Sequence, residues 1–203
     1  VYNVLAALST ISEEGFPIND LIPSLLNFPG ISGRMESVDE GQDFSVFVDY
    51  AHTPDGLFNV LSSLNGLSKK RVISVFGCGG DRDRIKRPQM GDIASRFSDI
   101  VILTSDNPRS EEPQDILEDI KKGIKGVGKK AEVMEVLDRR KAIREAVEVA
   151  QSGDVVFIFG KGHENYQVFN KEKVPFSDQE VARHWLKLRC LRSAKLQKLA
   201  VEH

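Results

Sequence analysis

Apolar and polar positions alternate along the chain with two periods, one typical of strands and one typical of helices. Short apolar runs rich in β-branched residues predict strands at residues 34–38, 44–50, 72–76, 100–103, 131–136 and 155–159. The helical period predicts helices at residues 1–14, 20–27, 54–67, 88–97, 114–124, 140–149 and 178–191, and a hairpin is predicted at residues 166–175. Because strands and helices alternate, we expect an α/β fold, with a Rossmann-like, mostly parallel sheet flanked by helices.

The same pattern divides the chain into three parts. The two helices within residues 1–30 cannot bury their apolar faces alone, so we expect them to be the helical tail of a preceding domain. Residues 31–190 carry the strands and form the main domain, and the basic, loosely amphipathic residues 191–203 form a tail. Because Val1 is not a start methionine and no cap precedes the first helix, we expect the chain to come from a longer protein.

Four loops that follow predicted strands are dense in functional residue types. They are residues 49–55, 77–84, 105–109 and 160–164. The carboxyl ends of parallel strands meet at one edge of a sheet, and ligands bind outside those ends in open α/β sheets. We therefore expect the four loops to form one site, since solvated charges have no reason to gather at strand ends.

The loop at residues 105–109 reads Ser-Asp-Asn-Pro-Arg and offers complementary polar groups on one stiff turn. Pro108 fixes its own φ angle and restricts Asn107, which helps to aim the side chains. Arg109 presents a planar fork to a carboxylate, Asp106 can accept a hydrogen bond from an ammonium group, and Asn107 can both donate and accept. An isolated stretch of this kind is more often a solvated turn, but the neighbouring loops favour a binding site.

The glycine-rich loop after the strand at residues 72–76 indicates an anionic ligand. Glycines at positions 77, 79 and 80 leave backbone N–H groups open to an approaching anion, although three glycines after a strand are as often a tight turn. Four cations lie on this loop or directly after it and favour the anion, namely Arg82, Arg84, Lys86 and Arg87.

The two remaining loops add a partner for a nucleotide and a partner for an ammonium group. Asp49 ends a strand, as does the carboxylate that binds ribose hydroxyls in many nucleotide sites, and His52 can meet a phosphate or transfer a proton. Gly160 permits close backbone approach and Glu164 can pair with an ammonium group; the alternative is a mobile turn tipped by Lys161. A zwitterionic amino acid beside a nucleotide would satisfy all four loops.

Composition narrows the class of protein without identifying it. Apolar residues make up 40% of the 203 residues and charged ones 29%, as in ordinary globular proteins. The net charge of −2 gives no reason to expect nucleic acid or an acidic membrane surface as a partner. No apolar run approaches transmembrane length, and Cys78 and Cys190 lack metal-site spacing, so we expect a cytoplasmic protein with free thiols.

The motifs together resemble the C-terminal domain of the Mur ligases, and within that family the type that adds meso-diaminopimelate. The resemblance covers nearly all of the chain except the last dozen residues. It is carried by residues 2–7, 33–36, 48–55, 77–88, 105–109, 138–139, 160–164 and 176–178.

The resemblance implies an ATP-dependent ligase that forms an amide bond through an acyl phosphate, with Mg²⁺ as a further cofactor of the full-length enzyme. It implies that Asn3 contacts adenine and that the ribose and phosphates face Arg34, Asp49 and His52. It also implies an amino-acid pocket formed by Arg82, Asp106, Asn107, Arg109, Gly160 and Glu164. Within that pocket, Arg109 would meet the distal carboxylate of meso-diaminopimelate, which lysine lacks.

The resemblance also defines the expected partners and the limits of this chain. The acceptor, UDP-N-acetylmuramoyl-L-alanyl-D-glutamate, is expected to bind through the family's other domains, and residues 1–30 would end the ATP-binding central one. We assign no catalytic or metal-binding residue to this chain and expect no ligation by it alone. Two alternatives stay open: a folylpolyglutamate synthase-like ligase, whose glutamate substrate has no use for Arg109, and a non-catalytic Mur-ligase-like scaffold domain.

Overall fold

The computed structural model describes residues 2–28, 30–64, 70–124 and 131–201. The chain separates into two compact units, Val1–Ile31 and Ser32–His203. The first unit holds α1 (Tyr2–Glu13) and α2 (Ile18–Leu26), and none of its described residues is buried. Both helices were predicted. However, α2 begins two residues earlier than expected, directly after Pro17, whose φ of −61° leads the chain into the helix.

The second unit is built on a six-stranded sheet with the order β1-β2-β6-β3-β4-β5. Its strands are β1 (Glu36–Ser37), β2 (Ser45–Asp49), β3 (Val72–Phe76), β4 (Ile100–Leu103), β5 (Glu132–Glu135) and β6 (Val155–Phe159). β1 runs antiparallel to β2, and the other neighbouring strands are parallel. The predicted α/β fold with a mostly parallel sheet is confirmed. The predicted hairpin is also present, as β7 (Tyr166–Phe169) and β8 (Glu172–Pro175).

β1 is shorter than the strand predicted at residues 34–38. Met35 has a left-handed backbone conformation, with φ of 46°, and its N–H donates to the Asp49 carboxylate instead of joining a ladder. Regular pairing therefore begins only at Glu36, which lies opposite Val48.

The helices of the second unit begin close to the predicted positions. They are α3 (Pro54–Ser63), α4 (Lys86–Phe97), α5 (Pro113–Ile124), α6 (Arg139–Val149) and α7 (Asp178–Val201). Residues 65–67 of the helix predicted at 54–67 lie outside the described residues. α7 continues ten residues past its predicted end, so the segment expected to be a tail is helical as far as Val201. Within the described ranges, no helix is both long and apolar enough to cross a membrane.

Two hydrophobic cores lie on opposite faces of the sheet because alternate strand residues point to opposite sides. In β4, Ile100 and Ile102 belong to a core with α6 and α7, whereas Val101 and Leu103 belong to a second core with α3, α4 and α5. Every residue of both strands β3 and β4 is buried. The helices thus cover both faces, and the loops at the carboxyl ends of the strands remain open for a site.

Candidate functional site

The loops that follow β2, β3, β4 and β6 meet at one edge of the sheet and enclose a cleft of about 430 Å³. The sheet order places β6 between β2 and β3, so the Gly160 loop lies between the loops that follow β2 and β3. The predicted convergence of the four loops is therefore observed. The cleft is lined by all six of the residues expected to bind an amino acid: Arg82, Asp106, Asn107, Arg109, Gly160 and Glu164.

The glycines after β3 allow the β3 and β4 loops to pack against each other. A Cβ atom on Gly77 would lie 2.0 Å from the Thr104 carbonyl oxygen, and one on Gly80 would lie 1.9 Å from the Pro108 carbonyl oxygen. Both distances are far too short for a real contact, so neither position accepts a side chain without backbone movement. Gly77 and Gly80 therefore allow the two loops to pack closely. The sequence had instead indicated that these glycines leave N–H groups open to an anion.

Two of the four cations on and after the glycine-rich loop already pair with carboxylates of the protein. Arg87 is fully buried and donates to Glu111 at 2.8 and 2.9 Å and to Asp119 at 3.0 Å, and Arg84 also pairs with Glu111. The Arg87 hydrogen bond is the main cause that lowers the pKa of Glu111 to about 2. Arg84 and Arg87 therefore give little support to an anionic ligand, because Glu111 and Asp119 already pair with them, whereas Arg82 and Lys86 line the cleft.

Arg109 is anchored by its backbone and by one edge of its guanidinium group. Its N–H donates to the Val168 carbonyl at 3.0 Å, and its carbonyl accepts from Asn170 N–H at 2.6 Å, which fixes the loop to the β7–β8 hairpin. Nη1 donates to the Gly80 carbonyl at 2.7 Å. Among the described residues, Nε and Nη2 have no hydrogen-bond partner. The edge of the guanidinium group that carries these two atoms is therefore available to bind a carboxylate.

The side-chain amide of Asn107 forms hydrogen bonds mainly with other residues of the protein. Its Oδ1 accepts from Lys161 Nζ at 3.0 Å and from Val168 N–H at 2.9 Å, while Nδ2 donates to Glu164 Oε2 at 3.0 Å. Asp106, at 7% exposure, lies beside it, with Oδ1 3.8 Å from Lys161 Nζ. Asn107 therefore organises the cleft, and the acidic groups of Asp106 and Glu164 remain at its surface.

Lys161 is the residue of this site that the sequence analysis missed. It was considered only as the tip of a mobile turn, but its side chain is 0% exposed, so that alternative is wrong. Nζ lies between Asn107 Oδ1 and Glu164 Oε2 and 5.7 Å from the centre of the Tyr166 ring. The available signal was the position of a lysine between two glycines directly after a buried strand.

The candidate nucleotide residues of the second unit lie beside Tyr50. Arg34 is exposed and stacks over the Tyr50 ring at 4.8 Å, and His52 is exposed with Nδ1 2.9 Å from the Tyr50 carbonyl oxygen. Asp49 is buried, and its carboxylate accepts the N–H groups of Met35 at 2.8 Å and Ala51 at 2.7 Å. In this structure, Asp49 thus holds the two loops that carry Arg34 and His52.

The fourth candidate nucleotide residue, Asn3, belongs to the other unit. It lies on α1 and is exposed.

A buried ion pair supports the Gly160 loop from inside. Arg139 and Asp178 are both 0% exposed, and Nε and Nη2 of Arg139 contact the two carboxylate oxygens at 2.8 and 2.7 Å. Nη2 also donates to the carbonyl of Phe159, the residue before Gly160. Burial is the largest single influence and lowers the pKa of Arg139, but the charge and hydrogen bonds of Asp178, together with the charges of Asp106 and Glu164, raise it overall. The pair joins the segments 138–139 and 176–178, which the sequence analysis had singled out separately.

The described residues of the cleft are poorly suited to thiol chemistry and to multi-ligand metal binding. Cys78 lines it, but burial raises the pKa of this thiol to about 12, so the nucleophilic thiolate is scarce at neutral pH. In the part of the chain that the structure describes, no group of three or more His, Cys, Asp or Glu side chains could hold a metal ion.

A family model and curated relatives both match this chain to the same family of proteins. The family model described as Mur ligase, glutamate ligase domain, matches residues 33–162. A relative from Syntrophomonas wolfei, named UDP-N-acetylmuramoyl-L-alanyl-D-glutamate–2,6-diaminopimelate ligase, is 51% identical over 187 residues, which are 92% of this chain and 38% of the relative.

Solved structures agree with the sequence comparison. A structure of a ligase with the same name superposes with a TM-score of 0.72 at 43% identity, covering 92% of this chain and 38% of that chain. A bifunctional folylpolyglutamate synthase/dihydrofolate synthase from Yersinia pestis CO92 reaches a TM-score of 0.59 at 19% identity, covering 90% of this chain and 37% of that chain. The second likeness shows the fold alone. The chain spans about two fifths of the length of these relatives.

Proposed function

The chain belongs to the Mur ligase family, and from this we propose that it is the amino-acid-binding part of an ATP-dependent ligase. The reaction we assign to the whole enzyme is the addition of meso-diaminopimelate to UDP-N-acetylmuramoyl-L-alanyl-D-glutamate. Support comes from relatives named for this reaction, which are about half identical to the chain over nine tenths of its length. Because the chain spans only 38% of the first of them, we propose no ligation by it alone.

The arrangement of charge in the cleft is the observation that carries this proposal. Arg82 and Arg109 supply cationic groups, and Asp106 and Glu164 supply acidic ones, around one cavity. meso-Diaminopimelate has a carboxylate and an ammonium group at each end, so it can pair with both signs of charge. L-Lysine lacks the second carboxylate and would leave the free side of Arg109 without a partner, which disfavours it.

The backbone of Arg109 gives independent support for a functional side chain at this position. Its φ is 52°, in the left-handed region that costs a residue with a side chain about 1–2 kcal/mol. The β7–β8 hairpin holds this conformation through two backbone hydrogen bonds. Strain that is imposed by surrounding structure is typical of functional sites. We therefore propose that this loop exists to present the Arg109 guanidinium group to the distal carboxylate.

The nucleotide side of the proposal rests on exposed groups near the same sheet edge. Arg34 and His52 can meet the phosphates of ATP, Asp49 holds the two loops that carry them, and Asn3 is assigned to adenine. Bound ATP would activate the acceptor carboxylate for amide formation, while this chain orients the attacking amino acid. We assign the Mg²⁺ ligands to another part of the enzyme; the described residues contain no group of three or more His, Cys, Asp or Glu side chains that could hold a metal ion.

Domain limits and location follow as parts of the same proposal. We propose that residues 1–30 end the ATP-binding central domain and that the amino-acid-binding domain begins after them, as the division into two units supports. Cys78 and Cys190 are free thiols, which suits the cytoplasm, where ATP is available.

The experiment that tests this function is an NMR titration of the isotope-labelled chain with meso-diaminopimelate and, separately, with L-lysine. We expect shifts centred on Arg82, Arg109 and Glu164 with the first ligand and a much weaker response with lysine. R109A should weaken binding about tenfold or more, because hydrogen bonds to charged groups contribute about 1.5–3 kcal/mol. The matched control is R96A, which removes an exposed arginine that pairs with Asp92 outside the cleft.

Each contrary outcome of the titration has a definite meaning. Equal responses to the two ligands would reject Arg109 as the discriminating residue. No response to either ligand would contradict the assignment of the amino-acid pocket to this chain.

A further inference from the structure

We propose that Lys161 is a positioning residue of the cleft, whose buried ammonium group ties Asn107 to Glu164 and orients Glu164 toward an ammonium-bearing ligand. The proposal rests on the amino-acid-binding function proposed above and adds a residue to it. Lys161 itself is not exposed to the cleft, so its role is carried by the groups that it contacts.

The burial of Lys161 makes its partners decisive. A buried ammonium group loses its hydration and is retained only where charged or polar partners replace the water. Nζ is 3.0 Å from Asn107 Oδ1, 3.1 Å from Glu164 Oε2 and 3.8 Å from Asp106 Oδ1. Three candidate ligand-binding residues from two different loops therefore converge on one cation.

These contacts fix which atom of Glu164 is free. Oε2 accepts hydrogen bonds from both Lys161 Nζ and Asn107 Nδ2, at 3.1 and 3.0 Å. Among the described residues, Oε1 has no such partner, and the Glu164 side chain is 21% exposed. Holding Oε2 on the inside thus leaves Oε1 for an ammonium group of the ligand.

The charges of the cluster agree with a cationic ligand group. One ammonium group faces two carboxylates, those of Asp106 and Glu164, so the three side chains leave one negative charge uncompensated. The nearby buried cation Arg139 forms an ion pair with Asp178, and that pair adds no net charge to the cluster. Without Lys161, Asp106 and Glu164 would repel each other, and Glu164 would lose the contact that sets its orientation.

The test compares two substitutions that separate charge from packing. Met fills nearly the same volume as Lys without charge, whereas Arg keeps the charge but is larger. If Lys161 positions its partners by charge and hydrogen bonding, K161M should weaken meso-diaminopimelate binding about tenfold or more, and K161R should bind more tightly than K161M. If Lys161 only fills space, the order is reversed, and the proposal is overturned.

The matched control is K173M. Lys173 is an exposed lysine whose Nζ lies 4.4 Å from the centre of the same Tyr166 ring that Lys161 approaches. Nothing in the structure links it to Asn107 or Glu164 within the described residues. K173M should therefore bind meso-diaminopimelate like the unsubstituted chain. If K161M does not fold, K161Q takes its place as the neutral variant at position 161.

NMR spectra of the ligand-free proteins test the role of Lys161 independently of the proposed function. In K161M, the side-chain amide of Asn107 should shift and the Val168 N–H, which donates to Asn107 Oδ1, should lose protection from exchange; K161R should restore both. If the unsubstituted chain binds no meso-diaminopimelate, the proposed function fails, and these spectra still decide the role of Lys161. Unchanged Asn107 and Val168 signals in K161M would overturn it.

Discussion

Glu111 is a single carboxylate that connects three residues on and directly after the glycine-rich loop. It accepts hydrogen bonds from the buried Arg87, from the exposed Arg84 and from the backbone N–H of Asp81. Arg87 in turn donates to the Gly79 carbonyl, so one acid fixes the glycine-rich loop to the start of α4. These contacts lower the pKa of Glu111 from its usual 4.5 to about 2, with the Arg87 hydrogen bond as the largest cause.

This lowered pKa predicts an acid-sensitive part of the stability. Because the folded pKa lies below the unfolded one, the contribution is complete above about pH 4.5 and is lost as the pH falls through about 2. E111Q should lower the free energy of unfolding at pH 7 by about 2 kcal/mol, and the difference from the unsubstituted chain should shrink toward pH 2. Urea unfolding at several pH values measures both effects. E112Q, which changes an exposed neighbour, should leave the curve unchanged.

Residue types were easier to predict from the sequence than the partners of each side chain. The positions of Arg82, Asp106, Arg109 and Glu164 around one cleft follow from their places after parallel strands. The burial of Lys161 and the internal pairing of Arg87 do not, because both depend on polar side chains far away in the chain. Lys161 contacts Asn107 and Asp106 in addition to the nearby Glu164. Arg87 pairs with Glu111 and Asp119. Charge in a sequence does not reveal whether a distant residue already neutralises it.

The loop before β1 packs directly on the loop after β6, and glycine makes this contact possible. Gly33 has φ of +70°, and a Cβ atom there would lie 2.1 Å from the backbone N of His163. Gly41 has φ of +86°, but a Cβ atom there would meet nothing within 4 Å. Both glycines therefore have a left-handed backbone conformation, but only at Gly33 would an added Cβ atom clash with the backbone. Substituting each by alanine separates the cost of the clash from the cost of the conformation.

We expect G41A to cost about 1 kcal/mol of unfolding free energy, since it adds only left-handed strain. G33A should cost about 1–3 kcal/mol more, because backbone must move to admit the methyl group. It should also shift the amide signals of Gly162 and His163 and weaken the response to meso-diaminopimelate, since Glu164 follows directly. Urea unfolding and NMR measure these effects, and equal costs for the two variants would contradict the packing argument.

The regular elements were largely predictable, and their errors have local causes. The boundaries of β3, β4 and β6 match the predictions, because buried parallel strands are short, continuous apolar runs with clear ends. β1 was too long in the prediction because the sequence does not show that Met35 turns its N–H to Asp49. α7 was too short because its basic C-terminal part has little apolar patterning, although Arg189 donates to carbonyls of Val147 and Ala150 at the end of α6.

The two units of the chain differ in how their apolar residues are placed. The described residues of both hydrophobic cores fall between Val38 and Leu186, so the cores belong to the second unit. In the first unit, large apolar side chains are exposed, with Leu26 at 81% and Phe28 at 55%. A domain of this size can bury enough apolar surface to fold by itself. The second unit therefore has a hydrophobic core that can stabilise it alone, whereas the described residues of the first unit form no such core.

Deletion of residues 1–31 should consequently leave the second unit folded and able to bind. We expect the melting temperature of the shortened chain to stay within about 4 °C of the original, which corresponds to about 1 kcal/mol for a domain of this size. The response to meso-diaminopimelate should persist, because all six candidate pocket residues lie in Ser32–His203. The shortened chain should also aggregate less, since exposed apolar surface is removed. Differential scanning calorimetry and the NMR titration test these points, and loss of a cooperative transition would show that residues 1–31 are needed for the fold.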